Sequence, residues 1–234
     1  MFEKELILRK YGNKIDFFKC DVTNYDQVDS IFEEIAKKFG TIDIVVNNAG
    51  ISNETMSGYK KEIDINVIAL ISSTSKAIEL MREDRGGKGG TVINVSSVAA
   101  LIQVSPTAFV YAGTKSAVLY FSTCIGTKEN YQQTKVRILT ICFGITSTSL
   151  LINYDSFDQD IISKYKSIEV SKVVMDNGMC QTAEAAAVGV IQSYRNGKSG
   201  STWMINESEA HDITDLVHEA YNVMSDKLRH NAFL

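Results

Sequence analysis

Residues 92–115 read VINVSSVAALIQVSPTAFVYAGTK, and the fold turns on how this stretch is parsed. Val92, Ile93 and Val95 form a short apolar run that ends in the paired hydroxyls of Ser96 and Ser97. A run of this kind bounded by a loop suits a strand covered on both faces, as in a parallel sheet. A loop follows, and then a helix that opens at Tyr111 with Lys115 four residues on. The C-terminal ends of strands are where open α/β sheets place their working residues. Ser97 precedes Tyr111 by fourteen residues, which is enough chain for a loop to bring the two hydroxyls together.

The same alternation extends in both directions. Upstream, "IDIVVN" (42–47) is apolar on both faces, and "IDFFKC" (15–20) reads as an earlier strand ending at Asp21. Between them "NYDQVDSIFEEIAKKFG" puts Val28, Ile31, Phe32, Ile35 and Phe39 on one helical face, with Asn24 as cap, Gln27 completing a capping-box-like pair and Gly40 as stop. A long helix is expected from Tyr59 to Arg82, the Tyr111 helix is expected to reach Asn130, and another helix spans 182–195. "VRILTIC" (136–142) and "GSTWMIN" (200–206) supply further strands, the second read as the last. Strands separated by helices imply an α/β fold, a doubly wound parallel sheet in one domain over 1–234. Residues 147–180 break the alternation, and their apolar side chains suit either the cover of an apolar ligand or a surface helix pair.

Composition narrows the function. In 234 residues, 44% apolar, 24 basic and 28 acidic side chains leave a net charge of -4 without a Lys/Arg block. Nucleic acid and anionic membranes are therefore not expected as partners. The charged N-terminus "MFEKELILRKYG" matches neither a signal peptide nor a spanning helix. Cys20, Cys124, Cys142 and Cys180 are scattered without a C-x-x-C pair, which suits a reducing cytoplasm. His211 and His218 have no third convergent ligand in the sequence, so no metal site is expected. "RGGKGG" (85–90) precedes a strand instead of opening a helix, so it is a connection and not a phosphate cradle.

Tyr and Lys four apart stack on one helical face, where an ammonium favours phenolate. Bringing a phenol from about 10 to near neutral takes about 4 kcal/mol, at about 1.4 per unit. The spacing alone carries little information, because it occurs at Tyr111/Lys115, Tyr131/Lys135 and Tyr194/Lys198. Only the first pair has a hydroxyl-bearing strand end upstream, small residues after both members, and "NNAG" (47–50) ending the preceding strand.

"NNAG", "NVSS" and "YAGTK" in this order, with Asn66 in "IDINVIAL", resemble the short-chain dehydrogenase/reductases over essentially the whole chain. "FFKCDVTNYDQV", "REDRGGKGGTVINVSS", "VYAGTKSAVLYFS" and "GSTWMINESEA" are most similar to the insect-type alcohol dehydrogenases and 15-hydroxyprostaglandin dehydrogenases. The resemblance implies a Rossmann-type sheet and an oxidoreductase moving hydride between NAD, with NADP not excluded, and a small apolar secondary alcohol or ketone. It implies that Tyr111 exchanges the proton with the substrate oxygen and that Ser97 hydrogen-bonds that oxygen, with Ser96 the second choice. Lys115 would lower the tyrosine's pKa and hold the nicotinamide ribose, and Asn66 would anchor a water leading protons out. Asp21 and Val22 would meet the adenine, and Asn48, Ala49 and Gly50 would line the adenosine side. Gly144, Ile145, Thr146 and Thr148 would close over the nicotinamide, and the chain would form a homodimer.

Three departures qualify what the resemblance implies. The family begins with a strand, a G-x-x-x-G-x-G turn, a helix and a second strand, whereas "IDFFKC" matches its third strand and residues 1–12 the helix before it. The sheet is thus expected to be N-terminally incomplete, its first two strands and the intervening helix absent. The pyrophosphate donors and the residue selecting NAD over NADP would go with them. Phe143 stands in place of a proline before Gly144, and Ala108 in place of a glutamine of the prostaglandin-oxidising relatives. The competing reading is a catalytically impaired, cofactor-free isoform that dimerises through the Tyr59–Arg82 and Tyr111–Asn130 helices and regulates a partner.

Overall fold

A computed structural model describes residues 10, 12–103, 108–152 and 180–230. Most of the apolar 147–180 segment therefore lies outside the described residues, as do residues 1–9. The described chain holds a five-stranded sheet of β1 (Ile44–Asn47), β2 (Gly90–Ser97), β3 (Val136–Phe143), β4 (Ser201–Asn206) and β5 (Glu209–Asp212), in spatial order β1-β2-β3-β4-β5. The first three pairings are parallel and the last antiparallel. This is the Rossmann-type α/β arrangement that strands alternating with helices require.

Helix α1 (Tyr25–Phe39) starts where Asn24 accepts the Gln27 N–H and stops at Gly40, whose φ of 84° suits glycine. Gln27 also reaches back, its Oε1 accepting the Asp21 N–H at 2.8 Å. Helix α2 runs in three consecutive segments, Tyr59–Ile63, Asp64–Ala69 and Leu70–Met81, and the middle one is π-helical. Helix α3 (Phe109–Ile125) is followed by α4 (Lys128–Thr134), α5 (Ala183–Asn196) and α6 (Thr214–His230).

Alternate residues of the strands feed two apolar layers. Val92, Val136 and Ile138 pack with Ala77 and Met81 of α2, while Leu119 of α3 meets Cys142, Ile213 and Val217. On the other face Ile93, Leu139, Ile141, Trp203 and Ile205 pack with Val190 and Tyr194 of α5. One buried polar knot crosses the first layer. Asn94 of β2 accepts from Asn47 of β1 and Thr74 of α2, at 2.9 and 3.0 Å, and donates to Ser122 of α3 at 2.9 Å. It fixes the strand register and both helices together, since an unmet partner in this dry interior would cost about 1–3 kcal/mol.

Three expectations about elements need correction. Residues 15–20 form no strand. The family's first two strands, one of which would pair with them, are expected to be absent and are not among the described residues, and an extended segment becomes a strand only through a ladder. Instead a cleft of about 250 Å³ lies between β1 and α1, lined by Val28, Phe32, Val45 and Val46 among others. The Tyr111 helix ends at Ile125, not Asn130. Gly126 lies so close to the Gly200 backbone that no side chain fits, and Thr127 caps a separate helix there. Finally, 201–206 is not the last strand. Glu207 and Ser208, with φ of 49° and 67°, turn the chain back into β5, the geometry of a two-residue hairpin.

Candidate active site

Ser97 ends β2 at the edge of the sheet's C-terminal face and keeps 8% of its surface exposed. Its Oγ accepts the Ala99 N–H at 3.1 Å, opening the turn out of the strand, and lies 3.4 Å from the Phe143 carbonyl. Ser96 points the other way and donates to the Lys115 carbonyl at 2.7 Å. The pleat thus separates the two serines: Ser96 holds α3 against the sheet, and Ser97 faces the site.

Tyr111 stands half-buried on the first turn of α3. Burial pushes its phenol above the ordinary value, and the neighbouring Ser97 hydroxyl pulls in the other direction. Lys115, one turn on and 3% exposed, places Nζ 5.6 Å from the Tyr111 ring centre and donates to the Val95 carbonyl at 3.0 Å. Burial drags its pKa down to about 8, against the opposing pull of Cys142 and Glu62. The other pair that can be compared shows what spacing leaves undecided. Lys135 lies 5.9 Å from the Tyr131 ring, nearly the same distance, yet on an exposed helix end where Lys135 adopts a left-handed φ of 57°.

Asn66 sits in the π-helical segment of α2 and is wholly buried. Its amide grips both backbone groups of Ile51: Oδ1 accepts the N–H at 2.9 Å and Nδ2 donates to the carbonyl at 2.8 Å. Nδ2 also donates to Thr114 Oγ1 at 3.1 Å, and Thr114 donates in turn to the Tyr111 carbonyl. The π turn leaves no mark in the apolar periodicity, because it changes the ladder and not the composition. Such wide turns recur at functional sites. Gly50 completes the convergence: a Cβ there would stand 3.3 Å from Asn66 Oδ1 and 3.5 Å from Lys115 Nζ.

The remaining expected site residues fall in two groups. Val22, Asn48 and Ala49 line the 250 Å³ cleft. Asp21 lies exposed at the end of residues 15–20, its carboxyl held below the ordinary range by hydrogen bonds from the Thr23 side chain and backbone. The loop after β3 forms the second group. The Gly144 N–H donates to the Ile205 carbonyl, Ile145 accepts from the Gln181 N–H, and Thr146 Oγ1 donates to Gly144. Thr148 Oγ1 lies 3.5 Å from the Thr146 carbonyl. A side chain on Gly144 would overlap the Asn206 amide.

Three residues of this region escaped the sequence reading. Gln181, 3% exposed, donates from Nε2 to Thr146 Oγ1 and the Ile205 carbonyl and accepts from Ser208 N–H, tying the loop to β4 and its turn. Glu54 is wholly buried and accepts the N–H groups of Phe109 and Tyr111, at 3.1 and 2.9 Å. It caps α3 from fifty-five residues away, where Ala108 has no capping side chain. Glu62, also wholly buried, accepts the Asn53 N–H at 2.8 Å. Both glutamates lie in stretches that look solvated in sequence, and only their long-range partners mark them.

Comparison with known proteins identifies the family of the chain. Residues 4–159 match the family model described as short chain dehydrogenase. The chain is 30% identical over 195 residues to the 15-hydroxyprostaglandin dehydrogenase [NAD(+)] of Homo sapiens, covering 78% of this chain and 71% of that one. It is 30% identical over 208 residues to alcohol dehydrogenase 2 of Ceratitis cosyra, covering 88% and 76%. Among solved structures, a short-chain dehydrogenase from Streptomyces avermitilis superposes with a TM-score of 0.70 at 18% identity, over 97% of this chain and 82% of that one. ElxO with NADP bound superposes with a TM-score of 0.68 at 26% identity, over 88% and 84%.

Proposed function

The chain belongs to the short-chain dehydrogenase family, an oxidoreductase family, and on that premise we propose that its site interconverts a small apolar secondary alcohol and its ketone with NAD. The observation that carries the reading is the convergence of Ser97, Tyr111 and Lys115. A strand end and one helix face deliver a hydroxyl, a phenol and an ammonium to one partly closed place, whereas the exposed Tyr131/Lys135 pair lacks the buried setting.

In this reading the Ser97 hydroxyl orients the substrate oxygen and the Tyr111 phenol exchanges a proton with it. Lys115, held by the Val95 carbonyl, favours the phenolate when its ammonium is charged. Asn66 keeps the Ile51 turn and Thr114 in place, so α2 and α3 cannot drift apart at the site. Lys115 and Tyr111 would hold the nicotinamide ribose, and residues 144–148 would cover the ring, while Gly50 lets the chain pass close to Asn66 and Lys115. When bound, the nicotinamide supplies the hydride partner. On the phosphate side, the described residues offer no glycine-rich turn opening a helix, and weak affinity for NAD is the expected outcome of a binding measurement. The same lack is what favours a second reading, a cofactor-free chain that dimerises and regulates a partner.

Calorimetric titration with NAD and NADP separates the two readings, and turnover by Tyr111→Phe beside Tyr131→Phe tests the site. Activity that survives the first substitution and dies with the second ends the assignment.

A further inference from the structure

We propose that Glu62 is a positioning residue of the Tyr111–Lys115 site, a buried carboxyl whose charge biases the protonation of that pair and whose hydrogen bond steadies the loop capping the tyrosine's helix. The proposal rests on the oxidoreductase reading of the same site and deepens it.

Glu62 and Asn66 are four residues apart on α2, hence on one face, and neither has exposed surface. Together they clamp one short stretch of chain: Asn66 takes both backbone groups of Ile51, and Glu62 Oε2 takes the Asn53 N–H. The next residue is Glu54, whose two oxygens hold the N–H groups of Phe109 and Tyr111. A run of direct hydrogen bonds and one peptide unit thus links the Glu62 carboxyl to the backbone of Tyr111. Gly58 packs against the Asn53 side chain so closely that a Cβ there would overlap it.

The second oxygen of Glu62 gives the cluster its direction. Oε1 is buried and accepts no hydrogen bond from the described residues. A carboxylate in this state is expensive to keep ionised unless a neighbouring charge supports it. The groups facing it are Glu54 from the loop, which opposes its charge, and Lys115 from α3, which supports it. Tyr111 of α3 also senses it. On its own helix the adjacent charges are Lys60 and Lys61, both exposed, and half-buried Asp64. Behind Lys115 stands the Cys142 thiol of β3, pushed by burial to about 12 and so neutral. When ionised, Glu62 favours the Lys115 ammonium and disfavours the Tyr111 phenolate; when protonated it does neither. Burial lifts its own titration to about 7, so this change falls near neutral pH.

The test needs no turnover. In the ligand-free chain, carbon NMR of labelled Glu carboxyls, the labelled Tyr ring and labelled Lys side chains is followed against pH. One Glu carboxyl titrates near neutrality and is missing in Glu62→Gln. In that variant the Tyr111 and Lys115 midpoints both move down, with Tyr111 identified through Tyr111→Phe. A purely structural Glu62 would change stability and leave both midpoints in place, which overturns the proposal. Should Glu62→Gln fail to fold, the unsubstituted chain still decides. The Tyr111 and Lys115 signals must each show a second inflection at the pH where the high-titrating carboxyl ionises, and its absence overturns the proposal. Because turnover by Tyr111→Phe is measured separately, loss of the oxidoreductase reading and loss of this role are told apart.

Discussion

Glu54→Ala removes the only side-chain cap described for α3, and its cost can be worked from the contacts. Two N–H groups, those of Phe109 and Tyr111, lose a carboxylate acceptor at 3.1 and 2.9 Å. A hydrogen bond to a charged group contributes about 1.5–3 kcal/mol, and an N-cap alone about 0.5–2. Part of this is offset, since burial raises the Glu54 pKa despite the backbone donors, showing that the carboxylate bears a desolvation cost that alanine does not. The net loss expected is about 2–4 kcal/mol. In a chain of this size each kcal/mol shifts Tm by about 2–4 °C, so melting falls by roughly 4–16 °C. Glu54→Gln keeps one carbonyl oxygen able to accept and loses roughly half as much. Urea denaturation of the three proteins, with the m-value held constant, provides the measurement. A loss below about 0.5 kcal/mol for Glu54→Ala would show that α3 starts without this cap, and the long-range capping account would be wrong.

Other outcomes follow from the same contacts. Tyr111→Phe lowers turnover about 10²–10⁴-fold, the usual worth of a positioned acid/base, and Tyr131→Phe leaves it unchanged in a steady-state assay. Gly144→Ala pushes the Asn206 side chain out of place and costs about 1–3 kcal/mol by denaturant titration. Titration calorimetry of the chain with NAD or NADP gives a Kd of about 1 mM or weaker, and binding in the micromolar range would show that other residues replace the phosphate turn. Glu62 holds its proton up to about pH 7 when folded, against an ordinary value of 4.5. The folded chain therefore binds more protons than the unfolded chain between these values. The stability tied to this group is full below 4.5 and falls as pH rises through 7, by about 3 kcal/mol at about 1.4 per unit. Glu62→Gln flattens that slope in a pH series of denaturation curves.

Local rules were enough for much of this chain. Asn24, Gln27 and Gly40 marked both ends of α1, and the apolar runs around Val92 and Ile138 marked the two central strands, because caps and periodicity act over a few residues. They failed where a partner lies far along the chain. The apolar run at 15–20 has strand composition, but a strand needs a ladder partner, and none lies beside it among the described residues. The break at Gly126 depends on Gly200, seventy-four residues away. The β4–β5 turn carries Glu207 and Ser208 at positive φ, where composition offers no Asn-Gly signal.

The site divides in the same way. Ser97, Tyr111, Lys115 and Asn66 are candidates from sequence because IDINVIAL, NVSS and YAGTK carry the family resemblance in their order along the chain, whereas the four-residue Tyr/Lys spacing alone occurs three times. Which of the three Tyr/Lys pairs is enclosed, which serine faces it, and what holds the tyrosine's helix in place depend on burial and on contacts nineteen to fifty-seven residues apart. The sequence favours the first pair and Ser97, but enclosure and the Glu54 cap belong to the tertiary structure alone, since desolvation and hydrogen-bond geometry exist only once distant segments exclude water from one another.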